Sequence, residues 1–154
     1  MNADGSGVAG LTQEGLNKNS ADRVQMEQTH RWPSFLPNGN HFLYWAGNFG
    51  NSKDDRFSGI YLSSLDERSA RLVVLCRSSF GYDSQNLYFA DSQRRLVRMP
   101  FDLSCAKISG AAVAVADAVG LQPSTYRAAL TVAASGTVIY STGVGAALFG
   151  PHLG

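Results

Sequence analysis

Short apolar runs, several of them alternating with polar residues, recur along the 154-residue chain between clusters of Gly, Pro, Asn and Ser. A period of two puts alternate side chains on opposite faces of a strand, and the intervening residues are those that turns require. The pattern is first complete at Trp32-Pro33-Ser34-Phe35-Leu36-Pro37-Asn38-Gly39-Asn40-His41-Phe42-Leu43-Tyr44-Trp45. Asn-Gly in its middle suits a tight hairpin, so Gly39 is predicted at positive φ. The pattern returns at Ala129-Leu130-Thr131-Val132-Ala133-Ala134-Ser135-Gly136-Thr137-Val138-Ile139-Tyr140, with a weaker copy at Asn86-Leu87-Tyr88-Phe89. Gly59-Ile60-Tyr61-Leu62-Ser63-Ser64-Leu65-Asp66 likewise matches Leu96-Val97-Arg98-Met99-Pro100-Phe101-Asp102, each ending in an apolar residue and Asp.

The anchors Tyr44, Phe89 and Tyr140 lie 45 and 51 residues apart, a spacing typical of one four-stranded propeller blade. Strands are predicted at 7–12, 31–36, 41–46, 59–64, 70–75, 78–82, 86–90, 95–101, 110–115, 127–133 and 137–142. Residues 13–29 read as a polar connection with one helical turn near Asp22–Met26, and Asn48–Ser58 as a hydrophilic loop. The predicted fold is all-β: antiparallel four-stranded blades of a partial β-propeller, about two full blades plus flanking strands. Residues 1–29 hold the first strand and the polar connection, and the partial propeller spans 30–143. Its blades fall at about 30–76 and 77–120 with a half blade at 125–143, and 144–154 forms a tail. The predicted core contains Trp32, Phe35, Phe42, Tyr44, Ile60, Leu72, Val74, Leu87, Phe89, Leu96, Phe101, Val132 and Tyr140.

Composition narrows the function. With 44% hydrophobic and 16% charged residues the chain is globular, and its net charge of +1 leaves no electrostatic footprint for nucleic acid. The cluster of Arg94, Arg95 and Arg98 reads as a solvated face. Cys76 and Cys105 match neither a CxxC redox motif nor a zinc site, which leaves two structural thiols, a disulfide or, least favoured, a metal contact. The opening Met1-Asn2-Ala3-Asp4-Gly5-Ser6-Gly7 lacks the basic and apolar regions of a signal peptide. The longest small-apolar stretch, Gly110 to Leu121, is interrupted by Asp117 and too short to span a bilayer. The expectation is a soluble chain with no membrane insertion.

These same residues resemble the TolB-like, PD40-type β-propeller repeats, and among them the propeller segments behind bacterial membrane-anchored serine/threonine kinases. The likeness rests on Arg31-Trp32-Pro33-x-Phe35-Leu36-Pro37-x-Gly39-x-His41-Phe42-Leu43-Tyr44, on Gly59-Ile60-Tyr61 with Ser64-Leu65-Asp66, and on Leu96 with Pro100-Phe101-Asp102. Val132, Ser135-Gly136 and Tyr140-Ser141-x-Gly143 complete it, so that it covers about residues 7–143. Asn38 departs from the usual Asp. The resemblance implies a ring of about six blades used for binding, with no catalytic residue in the blades, in a parent family often extracytoplasmic. This chain is too short to close such a ring. The expectation is therefore self-association through the terminal segments 7–12 and 127–142, burying on the order of 1,000 Å², or union with a companion protein.

Candidate chemistry is sparse. His30, Arg31 and Trp32, with Asn51, Asp54 and Asp55 in the hydrophilic loop, form the candidate interaction surface. His41 begins a strand, and Trp32 and Trp45 read as core or blade-interface aromatics. Asn51, Asp54 and Asp55 could offer oxygen ligands to Ca²⁺ but lack the EF-hand spacing, so a solvated loop is favoured. Asp66 and Asp102 are expected to accept turn N–H groups. Ser141 lacks the first glycine of G-x-S-x-G. Gly143-Val144-Gly145 opens a G-x-G-x-x-G match that fails at Leu148. Neither H-R-D nor D-F-G occurs. The reading is a non-enzymatic binding module with no catalytic, metal or cofactor site. An accessory propeller part of a split bacterial kinase or peptidase is the alternative.

Overall fold

The computed structural model describes residues 29–47, 57–67 and 70–143. The predicted strand 7–12, the helical turn near Asp22–Met26, most of the loop Asn48–Ser58 and the tail 144–154 lie outside the described residues. Every described element is a strand. β1 (Thr29–Phe35), β2 (His41–Gly47), β3 (Gly59–Ser64) and β4 (Arg71–Leu75) form an antiparallel sheet in chain order. The next sheet orders β5 (Phe80–Tyr82), β6 (Asn86–Ala90), β7 (Leu96–Asp102) and β8 (Lys107–Ile108), and β9 (Val113–Ala116) also pairs with β7. β8 meets the end of β7 at Phe101 and Asp102, whereas β9 meets its start at Leu96 to Arg98. The two are one outer strand, interrupted after Ile108. Strand pairing is antiparallel within both segments, 30–76 and 77–120, as the sequence pattern predicts.

The third unit is smaller. β10 (Leu121–Gln122) pairs with β11 (Arg127–Ala128), and β12 (Leu130–Val132) with β13 (Val138–Tyr140). The expected single strand 127–133 is broken at Ala129. There Ala129 N–H donates to the Gly120 carbonyl (2.7 Å), Ser141 N–H to that of Ala129 (2.9 Å) and Gly120 N–H to that of Ser141 (2.8 Å). A three-way junction replaces the ladder at that point.

Register explains the core. Leu43 faces Leu62 and Trp45 faces Ile60 across β2 and β3, so these four share one face of the first sheet. Leu87 with Met99 and Phe89 with Val97 share one face of the second. Leu36, Leu43, Ile60 and Leu62 pack with Leu87, Phe89, Val97 and Phe101 into one buried cluster between the two sheets. The opposite face of the second sheet, Tyr88, Ala90 and Leu96, packs with Val119 and Ala128 and with the half-buried Leu130, Val132 and Val138. The described chain is thus a stack: first sheet, second sheet, then a hairpin only two strands wide.

The repeat is legible in the turns as well. Asn38 Oδ1 accepts the N–H groups of Asn40 (3.1 Å) and His41 (2.9 Å), and 45 positions later Asp83 Oδ1 accepts those of Gln85 (2.9 Å) and Asn86 (2.7 Å). Gly39 takes φ 68° and its counterpart Ser84 φ 79°. The predicted positive φ at Gly39 is found. Asp83 also accepts the Tyr88 hydroxyl (2.9 Å) and is buried. Burial would raise its pKa, but the Gln85 and Asn86 N–H groups and the Tyr88 hydroxyl outweigh it and hold the carboxyl below its ordinary value.

Three members of the predicted core are exposed instead: Phe35 (55%), Leu72 (40%) and Tyr140 (42%). Each lies on an outermost strand, where a neighbouring strand covers only one flank. Trp32, Val74 and Val132 are half-buried, and the other seven are buried.

Phe101→Ala should therefore cost about 3–5 kcal/mol in denaturant unfolding, as large aromatic deletions in cores do, while Phe35→Ala should cost less than about 1 kcal/mol. Equal losses would place the core elsewhere. Asp83→Ala removes two turn bonds and leaves the Tyr88 hydroxyl unpaired, at a cost of about 1–3 kcal/mol. Because the folded Asp83 pKa is lowered, its ionic contribution is present above the ordinary value of 3.8 and lost as pH falls through the folded value. The stability gap between the wild type and Asp83→Asn should accordingly narrow in unfolding curves taken below about pH 4.

Candidate functional site

The predicted site residues His30, Arg31 and Trp32 lie together on β1, and the pairing of β1 with β2 decides where each is placed. Thr29 faces Gly47, His30 faces Ala46 and Arg31 faces Trp45, after which the register shifts before Ser34 faces Leu43. Trp32 and Pro33 together oppose Tyr44, which makes a β-bulge. Pro33 has no N–H to give a ladder, and a bulge on an edge strand is where that omission is tolerated. Trp32 takes φ 53°, a left-handed conformation that is uncommon for a bulky residue.

The bulge brings the Trp32 ring to 5.7 Å from Trp45, which is fully buried and whose Nε1–H donates to the Cys76 carbonyl (2.9 Å). On its other flank Trp45 meets Tyr126 edge-on at 5.8 Å, and the Arg77 guanidinium stands over the Tyr126 ring at 5.7 Å. Tyr126 is also left-handed, with φ 58°. Its carbonyl accepts Ser79 N–H (2.8 Å), and Ser79 Oγ accepts Ala128 N–H (2.8 Å), tying the third unit to the start of the second sheet. Two strained aromatics thus bracket one buried Trp across three chain segments. On the opposite face of the first sheet, His30 packs on Tyr44 (5.1 Å), which continues to Phe42 (5.9 Å) and stacks on Tyr61 (5.9 Å). Burial, with Tyr61 beside it, pushes the Tyr44 pKa up to about 12.

Asn51, Asp54 and Asp55 lie outside the described residues. Tyr126 and Arg77 were missed in the sequence pattern. Arg77 stands 45 positions after Trp32 but carries no ring, and only the fold makes it and Tyr126 neighbours of Trp45.

A second feature is an open groove of about 330 Å³ between the sheets, lined by His41, Ser63, Ser64, Glu67, Arg71 and the turn at Ser104–Ala106. Arg71 donates to the Ala106 carbonyl across it. His41 Nδ1 is hydrogen-bonded to the Asn38 side chain (2.8 Å). Among the described residues no three His, Cys, Asp or Glu side chains gather as a metal site. Asp102 accepts Ser104 N–H (2.8 Å), as expected of a turn residue, whereas Asp66 accepts the side-chain amide of Asn40 (2.8 Å). Cys76 and Cys105 are both free thiols, which closes the disulfide alternative. Burial pushes Cys76 up to about 12, so this thiol is inert at neutral pH.

No family model, no curated protein and no solved structure matches the chain. No helix among the described residues is long and apolar enough to cross a membrane.

If the left-handed backbone at Tyr126 is a real cost, the usual order of substitutions should invert. Tyr126→Gly should be more stable than Tyr126→Ala by roughly 1 kcal/mol, although both lose the same ring. Thermal unfolding of the two variants, followed by tryptophan emission, measures this directly.

Proposed function

We propose that the chain is a non-enzymatic interaction module of the β-propeller type: two four-stranded blades and half of a third, joined through its open end to another polypeptide. Supporting this is the stack itself, in which each sheet buries one face on the next and the last layer is only two strands wide. The 45-residue offset between the Asn38 and Asp83 turns supports a blade repeat, and the sequence motifs resemble TolB-like repeats. The partner is a second copy of this chain or a companion protein, bound at the incomplete end and along the edge strand β1 that carries His30, Arg31 and Trp32.

Light scattering between about 5 and 200 µM should show mass rising above the 16.5 kDa monomer where copies join. The decisive contrary result is a monomer at every concentration whose amides at Val138 and Tyr140 exchange slowly. Such a chain would be closed on itself and would need no partner at that end.

A further inference from the structure

We infer that the gap between the outer strands of the first two sheets is a binding site for a small monocarboxylate with an apolar body. β4 and β9, outermost in the first and second sheets, both line a cavity of about 330 Å³, at the lower end of the roughly 300–1,000 Å³ typical of ligand pockets. Phe89, Val97 and Met99 form its floor, and they belong to the face that the second sheet turns to the first. Ala114 stands opposite Val97 across the ladder and so shares that face, and Ala112 precedes it by one strand period. These two short side chains leave the gap, and Val74 and Leu75 of β4 bound it from the first sheet. Leu75 is 53% exposed, so apolar surface stays open to water at the cavity.

The polar wall decides which end group fits. Asp91 N–H donates to the Arg95 carbonyl (3.0 Å), which extends the β6–β7 ladder by one pair and sets both side chains in the rows of Phe89 and Val97. Both carboxylate oxygens of Asp91 are in use. Oδ1 accepts the N–H groups of Gln93 and Arg95, each at 2.9 Å, and Oδ2 accepts Arg95 Nε–H (2.8 Å) and lies 2.7 Å from Nη2. A carboxylate has about four acceptor sites, so Asp91 keeps none for a ligand. The guanidinium, in contrast, carries more N–H donors than the pair that Asp91 engages. Arg95 lines the cavity on a side chain 45% exposed, and Asp91 holds it in place, so its free donors are preorganised for an acceptor. A ligand carboxylate takes them in charge-assisted bonds, while its hydrocarbon body displaces water from Phe89, Val97 and Met99. An amine of the same length finds no acceptor on either side chain of the pair.

The probe is hexanoate, with hexanamide and hexylamine as controls of the same length, each titrated into the full chain and followed by methyl NMR. Hexanoate should shift the methyl signals of Val97, Met99 and Ala114 saturably, with a Kd on the order of 1 mM. Hexanamide should bind roughly tenfold more weakly, and hexylamine should leave these signals in place. Arg95→Gln should bring hexanoate down to the level of hexanamide. Ala114→Leu fills the cavity and should abolish binding, while its urea midpoint stays at or above that of the wild type, which separates a filled pocket from a broken fold. The site is refuted if hexanoate moves none of these methyls, if Ala114→Leu binds it as before, or if hexanamide or hexylamine binds as well as hexanoate does. None of those results bears on the interaction-module reading, which is tested separately by chain mass and by exchange at Val138 and Tyr140.

Discussion

Burial of the second sheet on both faces is the constraint from which the rest of the stack follows. Leu87, Tyr88, Phe89 and Ala90 are buried in succession along β6, the signature of a strand lying between two layers. Leu87 and Phe89 require the first sheet to present Leu43, Ile60 and Leu62. Tyr88 and Ala90 require a covering layer on the other side, which the β12–β13 hairpin supplies with Leu130, Val132 and Val138. β2 shows the same succession from Phe42 to Gly47, its second face burying Phe42, Tyr44 and Ala46 beside Tyr61. A slip of one residue in β6 would exchange the two sets of side chains and dismantle both interfaces together.

Much of this was legible from period and turn chemistry. The strands containing Phe42, Tyr44, Ile60 and Phe89 are short apolar runs set between turn residues, and Gly39 and Gly136 stand at positive φ in the hairpins that follow such runs. What escaped the sequence is of two kinds. Exposure of Phe35, Leu72 and Tyr140 depends on whether a strand ends a sheet, a fact about neighbours rather than alternation. The breaks at Ala129 and after Ile108 depend on bonds between residues far apart in the chain, such as Ser141 to Ala129. The candidate surface was legible only at His30, Arg31 and Trp32. Tyr126 and Arg77 join it through tertiary placement, with no local pattern to announce them.

The Trp45 joint shows how strain and packing are coupled. A left-handed Trp or Tyr costs on the order of 1 kcal/mol or more and persists only where its surroundings hold it. Trp32 is held by the bulge that Pro33 imposes and by its ring contact with Trp45, and Tyr126 by the same indole from the other flank, by Arg77 and by the Ser79 bond. The two strained residues therefore share a support. Loosening Trp45 would release both, along with the tie between the third unit and the start of the second sheet.

Edges carry the remaining argument. β1 is blunted by Pro33 and its bulge, and the outer strand of the second sheet is interrupted between Ile108 and Val113. β5 and β12 stand against each other. β4 and β13 are outermost as well, and they leave Leu72, Leu75, Ile139 and Tyr140 exposed among the described residues. An edge of that kind either meets a strand or templates aggregation.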